Sequence, residues 1–171
     1  MNLKTIQHCG RVVTLFAFLS ISLSEALAIG GGGGVSWDDV DKCSAGPVSG
    51  VSISAHNEVE RVRFRYGDSV WAEPHGGKGI KEDSFYLPKG ETIVEIRYRS
   101  GLRLDQLTFI TSKGRSFGPY GGNGGAPGVD KGWPGQSLGC VSGRSGMGID
   151  QINFSWRDTA SDHVIGNRGA K

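Results

Sequence analysis

The sequence predicts an all-β protein built from three similar units, and three observations carry that prediction. Glycine supplies 29 of 171 residues, against a usual share of about 7%, and it separates short runs rich in Val, Ile, Phe and Tyr in which no 3.6-residue period persists. The pattern apolar-acid-[Arg/Gln]-apolar-x-Phe begins at Val59, at Leu104 and at Ile149, a step of 45 residues each time. Glycine loops keep the same step, with Gly31, Gly32, Gly33 and Gly34 first, Gly76, Gly77 and Gly79 next, then Gly121, Gly122 and Gly124. Two features locked to one period mark an internal repeat whose units bury their apolar faces against one another.

In chain order, residues 1–28 are expected to be a secretory signal peptide. Lys4 and Arg11 give a positive start, residues 12–23 an apolar run of 12, and Ala26-Leu27-Ala28 a small-residue cleavage site. That run is too short to span a bilayer. Cleavage leaves 171 − 28 = 143 residues, one domain expected over 29–156, with a polar, aperiodic tail at 157–171 expected to be disordered. A soluble, secreted, extracellular chain with no membrane span follows. The formal charge of +2 falls to +1 without Lys4, Arg11 and Glu25, which argues against a nucleic-acid partner.

Asp38, Asp39 and Asp41 lack the glycine and distal Glu of a calcium loop, so a solvated turn is expected there. Cys9 leaves with the leader, and Cys43 and Cys140 remain as an even pair in an oxidising compartment, where a disulfide is expected over two thiols. Its 97-residue separation corresponds to about 4.7 kcal/mol as the upper figure of the chain-entropy model. Neither cysteine belongs to a zinc-type grouping, so no metal and no cofactor is implied. His56, His75 and His163 accompany no nucleophile motif, and the chain is read as no enzyme.

The strands show in the alternation. Val62, Phe64 and Tyr66, Leu107 and Phe109, and Ile152, Phe154 and Trp156 recur at every second residue, as strands with one face on a core require. The step from Val59 to Val62 is three instead, repeated in the other units, which predicts a bulge carrying the acid. Twelve strands in three sheets fit the length. Trp37, Trp71 and Trp156 are expected to pack in core or loops, with Trp133 the most exposed. Asn153 heads a glycosylation sequon but lies on a strand, a poor acceptor.

Arg-Ser-Gly-x-x-apolar-Asp is written twice, at Arg99 and at Arg144. A glycine four residues before a carboxylate allows a tight loop whose N–H groups face outward beside one acid. A second glycine loop can approach such a fork and add amides of its own. Donors beside one carboxylate suit a vicinal diol, which both gives and takes hydrogen bonds. One acid per site falls short of the two that glycoside hydrolysis ordinarily uses. Alone, Gly-x-x-x-Asp describes a turn; its register with the repeat points to sugar.

Over residues 30–156 the chain resembles the jacalin-related lectins, on the strength of "SGRSGMGIDQINFSW", "RSGLRLDQLTFITSKGRSFGPYGGNGG" and, within it, "GRSFGPYGG". The resemblance implies a β-prism of three four-stranded Greek-key sheets with pseudo-threefold symmetry. It implies a sugar site of Gly146, Met147, Gly148 and Asp150 facing Gly31 and Gly32, with residues 99–103 as recognition loop. A second set is Gly101, Leu102, Arg103 and Asp105 with Gly121 and Gly122. The third has lapsed, with His56 for glycine and Glu60 for Asp. An uncleaved glycine loop leans toward mannose or glucose, a rule blurred if signal cleavage frees the amine of Ile29. No aromatic stands in either binding loop, so affinity for a monosaccharide should be low, and avidity would come from two sites on one glycan or glycoprotein, or from a homo-oligomer.

Two other roles are open. Arg61, Arg63 and Arg65, with Arg97, Arg99 and Arg103, could form a face for sulfated, heparin-like glycans. Alternatively the chain is a structural or interaction protein on a lectin scaffold without sugar binding.

Overall fold

The computed structural model describes residues 27–159. The expected signal peptide, apart from Leu27 and Ala28, lies outside the described residues, as do His163 and residues 160–171 of the expected tail. In order come β1 (Ile29–Gly30), β2 (Val35–Asp38), a single helical turn α1 (Val40–Cys43), β3 (Val48–Ala55), β4 (Val59–Tyr66), β5 (Val70–Trp71), β6 (His75–Gly76) and β7 (Glu82–Tyr86). Then follow β8 (Ile93–Ser100), β9 (Leu104–Thr111), β10 (Ser116–Gly121), β11 (Ala126–Lys131), β12 (Gln136–Ser145) and β13 (Ile149–Asp158).

Three antiparallel sheets result, ordered β1-β13-β12-β2, β5-β4-β3-β7 and β10-β9-β8-β11. Each is a long central hairpin flanked by shorter strands, the Greek-key prism expected. In the sheet of β3 and β4 the edge beyond β4 is shared: β5 pairs with Arg65 and Tyr66, β6 with Arg61 and Val62. The first sheet joins the two ends of the described chain, because β1 pairs with β13 and β2 with β12. That pairing brings the first glycine loop beside the last hairpin.

Alternation decides what is buried. Val62, Phe64 and Tyr66, Leu107 and Phe109, and Ile152 and Phe154 all point into one shared core, each large side chain contributing about 1.5–3 kcal/mol by leaving water. Val59, Leu104 and Ile149 join them. The expected bulge is present in every sheet. Ala55 faces Val59 while Ser54 faces Arg61, Ser100 faces Leu104 while Arg99 faces Gln106, and Ser145 faces Ile149 while Arg144 faces Gln151. Glu60, Asp105 and Asp150 are the extra, unopposed residues, so the acid turns away from the ladder.

Cys43 and Cys140 form the expected disulfide, with Cα atoms 5.3 Å apart. The acidic turn beside it differs from expectation. Asp39 is only 3% exposed; its carboxylate accepts from the Tyr66 hydroxyl at 2.8 Å and lies 2.8 Å from His75 Nε2, while its amide donates to the Val141 carbonyl. Trp37 stacks on His75, centroids 3.8 Å apart. A buried carboxylate with two partners has no need of solvent, so Asp39 is a tie between sheets and the solvated turn is restricted to Asp38 and Asp41. Burial first, and Asp39's charge second, push the Tyr66 hydroxyl far above the ordinary tyrosine range, which keeps it a donor. Asp39→Asn is expected to lower unfolding free energy by about 1–2 kcal/mol, measured by urea denaturation.

The ladder also continues past Trp156, the expected domain edge. Arg157 faces Ser137, Asp158 faces Gln136, and Arg157 Nη1 donates to the Cys43 carbonyl at 3.4 Å, so these two residues belong to the sheet.

Candidate functional site

At the end of the prism where the bulges lie, Asp150 stands against the first glycine loop. The Gly31 amide donates to the Asp150 carbonyl at 2.9 Å. A Cβ on Gly33 would sit 2.7 Å from Asp150 Oδ1, and one on Gly34 2.5 Å from Oδ2. Gly34 also has φ +65°, so glycine alone lets the backbone reach the carboxylate without strain. The hairpin closes by a Gly146 N–H bond to the Gly148 carbonyl at 3.0 Å, leaving the amides of Met147 and Gly148 without an acceptor among the described residues. The Asp150 carboxylate accepts no hydrogen bond there either; its one ion pair is to Arg103 Nε at 3.6 Å.

The second set assembles alike. Gly122 donates to the Asp105 carbonyl at 3.0 Å, and Gly101 to the Arg103 carbonyl at 2.9 Å. Gly125, φ +57°, takes the place of Gly34, with its Cβ position 2.5 Å from Asp105 Oδ2. Gly121 and Gly124 also press on Asp105. Its carboxylate has no hydrogen bond or ion pair among the described residues. The third set keeps the backbone, with His56 donating to the Glu58 carbonyl at 3.1 Å and Gly77 to that of Glu60 at 2.9 Å. Its acid is engaged, however: Glu60 Oε2 accepts from the Ser54 hydroxyl at 3.4 Å and the Ile80 amide at 3.2 Å.

The doubled Arg-Ser-Gly acquires its reason here. Arg144 Nε donates to the Gly32 and Gly33 carbonyls at 3.1 and 2.8 Å, and Nη2 to that of Gly34 at 2.8 Å. Arg99 grips Gly124 and Gly125 in the same way, both at 2.8 Å. Each guanidinium is a fork that fixes the carbonyl side of a glycine loop, leaving its amide side outward. At the third position stands Ser54, and Arg61 holds the Gly77 carbonyl from β4 instead, at 3.0 Å.

Residues 27–155 match the family model of the Jacalin-like lectin domain. The chain belongs to the jacalin-like lectin family. Rat zymogen granule membrane protein 16 is 30% identical over 146 residues, covering 84% of this chain and 86% of its own. The structure of a prostate-specific WGA16 glycoprotein lectin superposes with TM-score 0.64 at 27% identity, over 75% of this chain and 94% of that one. A mannose binding jacalin related lectin from Ananas comosus gives TM-score 0.69 at 23% identity, over 77% and 95%, a likeness of fold. Membership in this lectin family places the chain among binding proteins rather than enzymes. Among the described residues no helix is long and apolar enough to cross a membrane.

Within this jacalin-like lectin several sequence expectations need correction. Arg103 belongs to the second loop, yet its side chain turns to the first site and to Glu58, with Nη1 2.5 Å from Glu58 Oε1. Arg99, expected in the recognition loop, is the clamp of its own glycine loop. The arginine face is employed internally: Arg63 Nε donates to the Ala72 carbonyl at 2.7 Å and lies over Trp71, Arg65 lies over Tyr86 and bonds Ser49, and Arg97 pairs with Glu95. The clamps Arg99 and Arg144, and Gly125, were absent from the expected site residues, although the repeated Arg-Ser-Gly was their signal. Trp133 is 80% exposed as expected, at the opposite end of the prism, and Met147 and Leu102 stand exposed at the two loop tips.

Proposed function

We propose that this chain is a secreted lectin that docks sugar hydroxyls, without metal, at two sites: Asp150 with Gly31 to Gly34 and the amides of Met147 and Gly148, and Asp105 with Gly121 to Gly125 and the Leu102 loop. One observation carries this. The two aspartates are held by backbone alone, carboxylates unbonded apart from the Arg103 ion pair and outward amides beside them, whereas Glu60, in the same bulge, has its acceptor filled from within. A carboxylate accepting from two adjacent hydroxyls, with N–H groups donating back, satisfies a diol on both counts. Mannose or glucose is the preferred class, supported by the uncleaved glycine loop and by the mannose binding lectin of like fold. Secretion is supported by the leader expected at 1–28 and by the disulfide, which persists in oxidising compartments.

The test is retention on immobilised mannose, galactose and heparin of the parent, Asp150→Asn, Asp105→Asn and the double variant. Retention on mannose that falls in each single variant and vanishes in the double supports the proposal. No retention on any matrix would establish a scaffold without sugar binding. Retention on heparin alone, unchanged by the variants, would favour the arginine face, against which the internal partners of those arginines already speak. Monosaccharide affinity is expected in the millimolar range, about −4 kcal/mol, because neither Met147 nor Leu102 offers an aromatic face; isothermal titration with methyl α-mannoside checks this.

A further inference from the structure

Positions 58, 103 and 148 are equivalent in the repeat, 45 residues apart, and their side chains meet where the three loops converge. They are Glu58, Arg103 and Gly148. The Arg103–Glu58 ion pair, 2.5 Å long, lies beside the glycine: a Cβ at Gly148 would be 3.3 Å from Glu58 Oε1 and 3.7 Å from Arg103 Nη1. Three like units have therefore placed a cation, an anion and a gap around one axis. Both charged side chains reach water, at 42% and 33% exposure.

Each loop walls its neighbour's site rather than its own. The Leu102 carbonyl lies over Gly31, that of Asn57 over Gly122, and that of Met147 over Gly77. The residue following each tip consequently faces the adjacent glycine loop, which puts Arg103 on the Asp150 site, as its 3.6 Å approach to Asp150 shows. By the same step Glu58 belongs to the wall of the Asp105 site. Arg103 Nη2 has no partner among the described residues. The ion pair is thus a dipole laid across the axis, its cationic end and a free donor on one site and its anionic end toward the other.

We infer that this dipole gives the two sites opposite charge preferences: the Asp150 site accepts sugars bearing an anionic substituent, sulfate or carboxylate, and the Asp105 site disfavours them. The inference rests on the sugar-binding proposal and adds a ligand class and two specificity-determining residues, Arg103 and Glu58. A unit charge a few ångströms away in a largely aqueous setting changes affinity by about fivefold, in opposite senses at the two sites.

The experiment uses the single-site proteins, Asp105→Asn to leave the Asp150 site and Asp150→Asn to leave the other. Methyl α-mannoside and its 2-, 3-, 4- and 6-O-sulfates are titrated at low and high salt, and the best sulfate is scored against the neutral sugar. That ratio is expected to be at least about fivefold higher at the Asp150 site, with the difference shrinking at high salt. The double exchange Glu58→Arg/Arg103→Glu keeps an ion pair but reverses its direction, so the ratio at the Asp150 site must fall, which a merely structural pair would not cause. Neutral binding with equal ratios at both sites, or ratios unmoved by the exchange, overturns the charge preference and leaves the lectin proposal standing. Absence of neutral binding in both single-site proteins overturns the lectin proposal, and the charge preference with it.

Discussion

Replacing Cys43 and Cys140 together by serine is expected to lower unfolding free energy by about 2–5 kcal/mol and to loosen the Asp150 site before the Asp105 site. The bridge spans 97 residues and fixes α1 to β12, so its loss restores a large loop-closure entropy to the unfolded chain. In the native state the effect is local. The segment from β1 to α1 carries the glycine loop of the Asp150 site and is otherwise held by short pairings: two residues of β1 on β13, four of β2 on β12, and the Asp39 bonds. The Asp105 site lies wholly on β8 to β11, remote in sequence from either cysteine. Denaturant melts of both proteins give the stability change. Titration of methyl α-mannoside into the single-site proteins, with and without the serines, checks the asymmetry: equal losses at both sites would show that the bridge acts only globally.

Arg144→Ala is expected to weaken sugar at the Asp150 site by about 10- to 100-fold, with Arg99→Ala doing the same at the Asp105 site alone. Each removes a charged fork that bonds two or three successive carbonyls, and bonds to a charged donor are worth about 1.5–3 kcal/mol. Without the fork a run of four glycines has many conformations, and binding must then supply the ordering. Arg144→Lys should recover only part, because an ammonium cannot match the planar fork. Isothermal titration reads the affinities, and faster hydrogen exchange at Gly32 to Gly34 in Arg144→Ala reports the loop itself, whatever the ligand. An Arg144→Ala protein with unchanged exchange and affinity would remove the clamp from the account.

Much of this fold could be read in the chain. The 45-residue step, the alternation of Phe64, Phe109 and Phe154 with polar neighbours, and the three-residue step before each located sheets, core faces and bulges. Asp105 and Asp150 could be named because they fall in register with glycine loops. The lapse of the third site was legible in His56 and Glu60, though the Ser54 and Ile80 bonds that fill Glu60 were not. Charged side chains were placed least well. Asp39 looked like a member of a solvated run, and Arg99 and Arg103 like neighbours on one face, since a long side chain's destination depends on residues far away in sequence.

The chain alone was enough for periodicity, strand faces and the bulged acid, because these follow from steric alternation and glycine's freedom over a few residues. Folding in three dimensions decided the rest: that β1 joins β13 and so gives Asp150 its glycine loop, that each loop leans on the next unit's site, and that Glu58, Arg103 and Gly148 meet at one axis. Those outcomes are set by which units become neighbours, and the closest contacts join residues 45 or more positions apart. Coulombic and hydrogen-bond partners at such separations have no local imprint in the sequence.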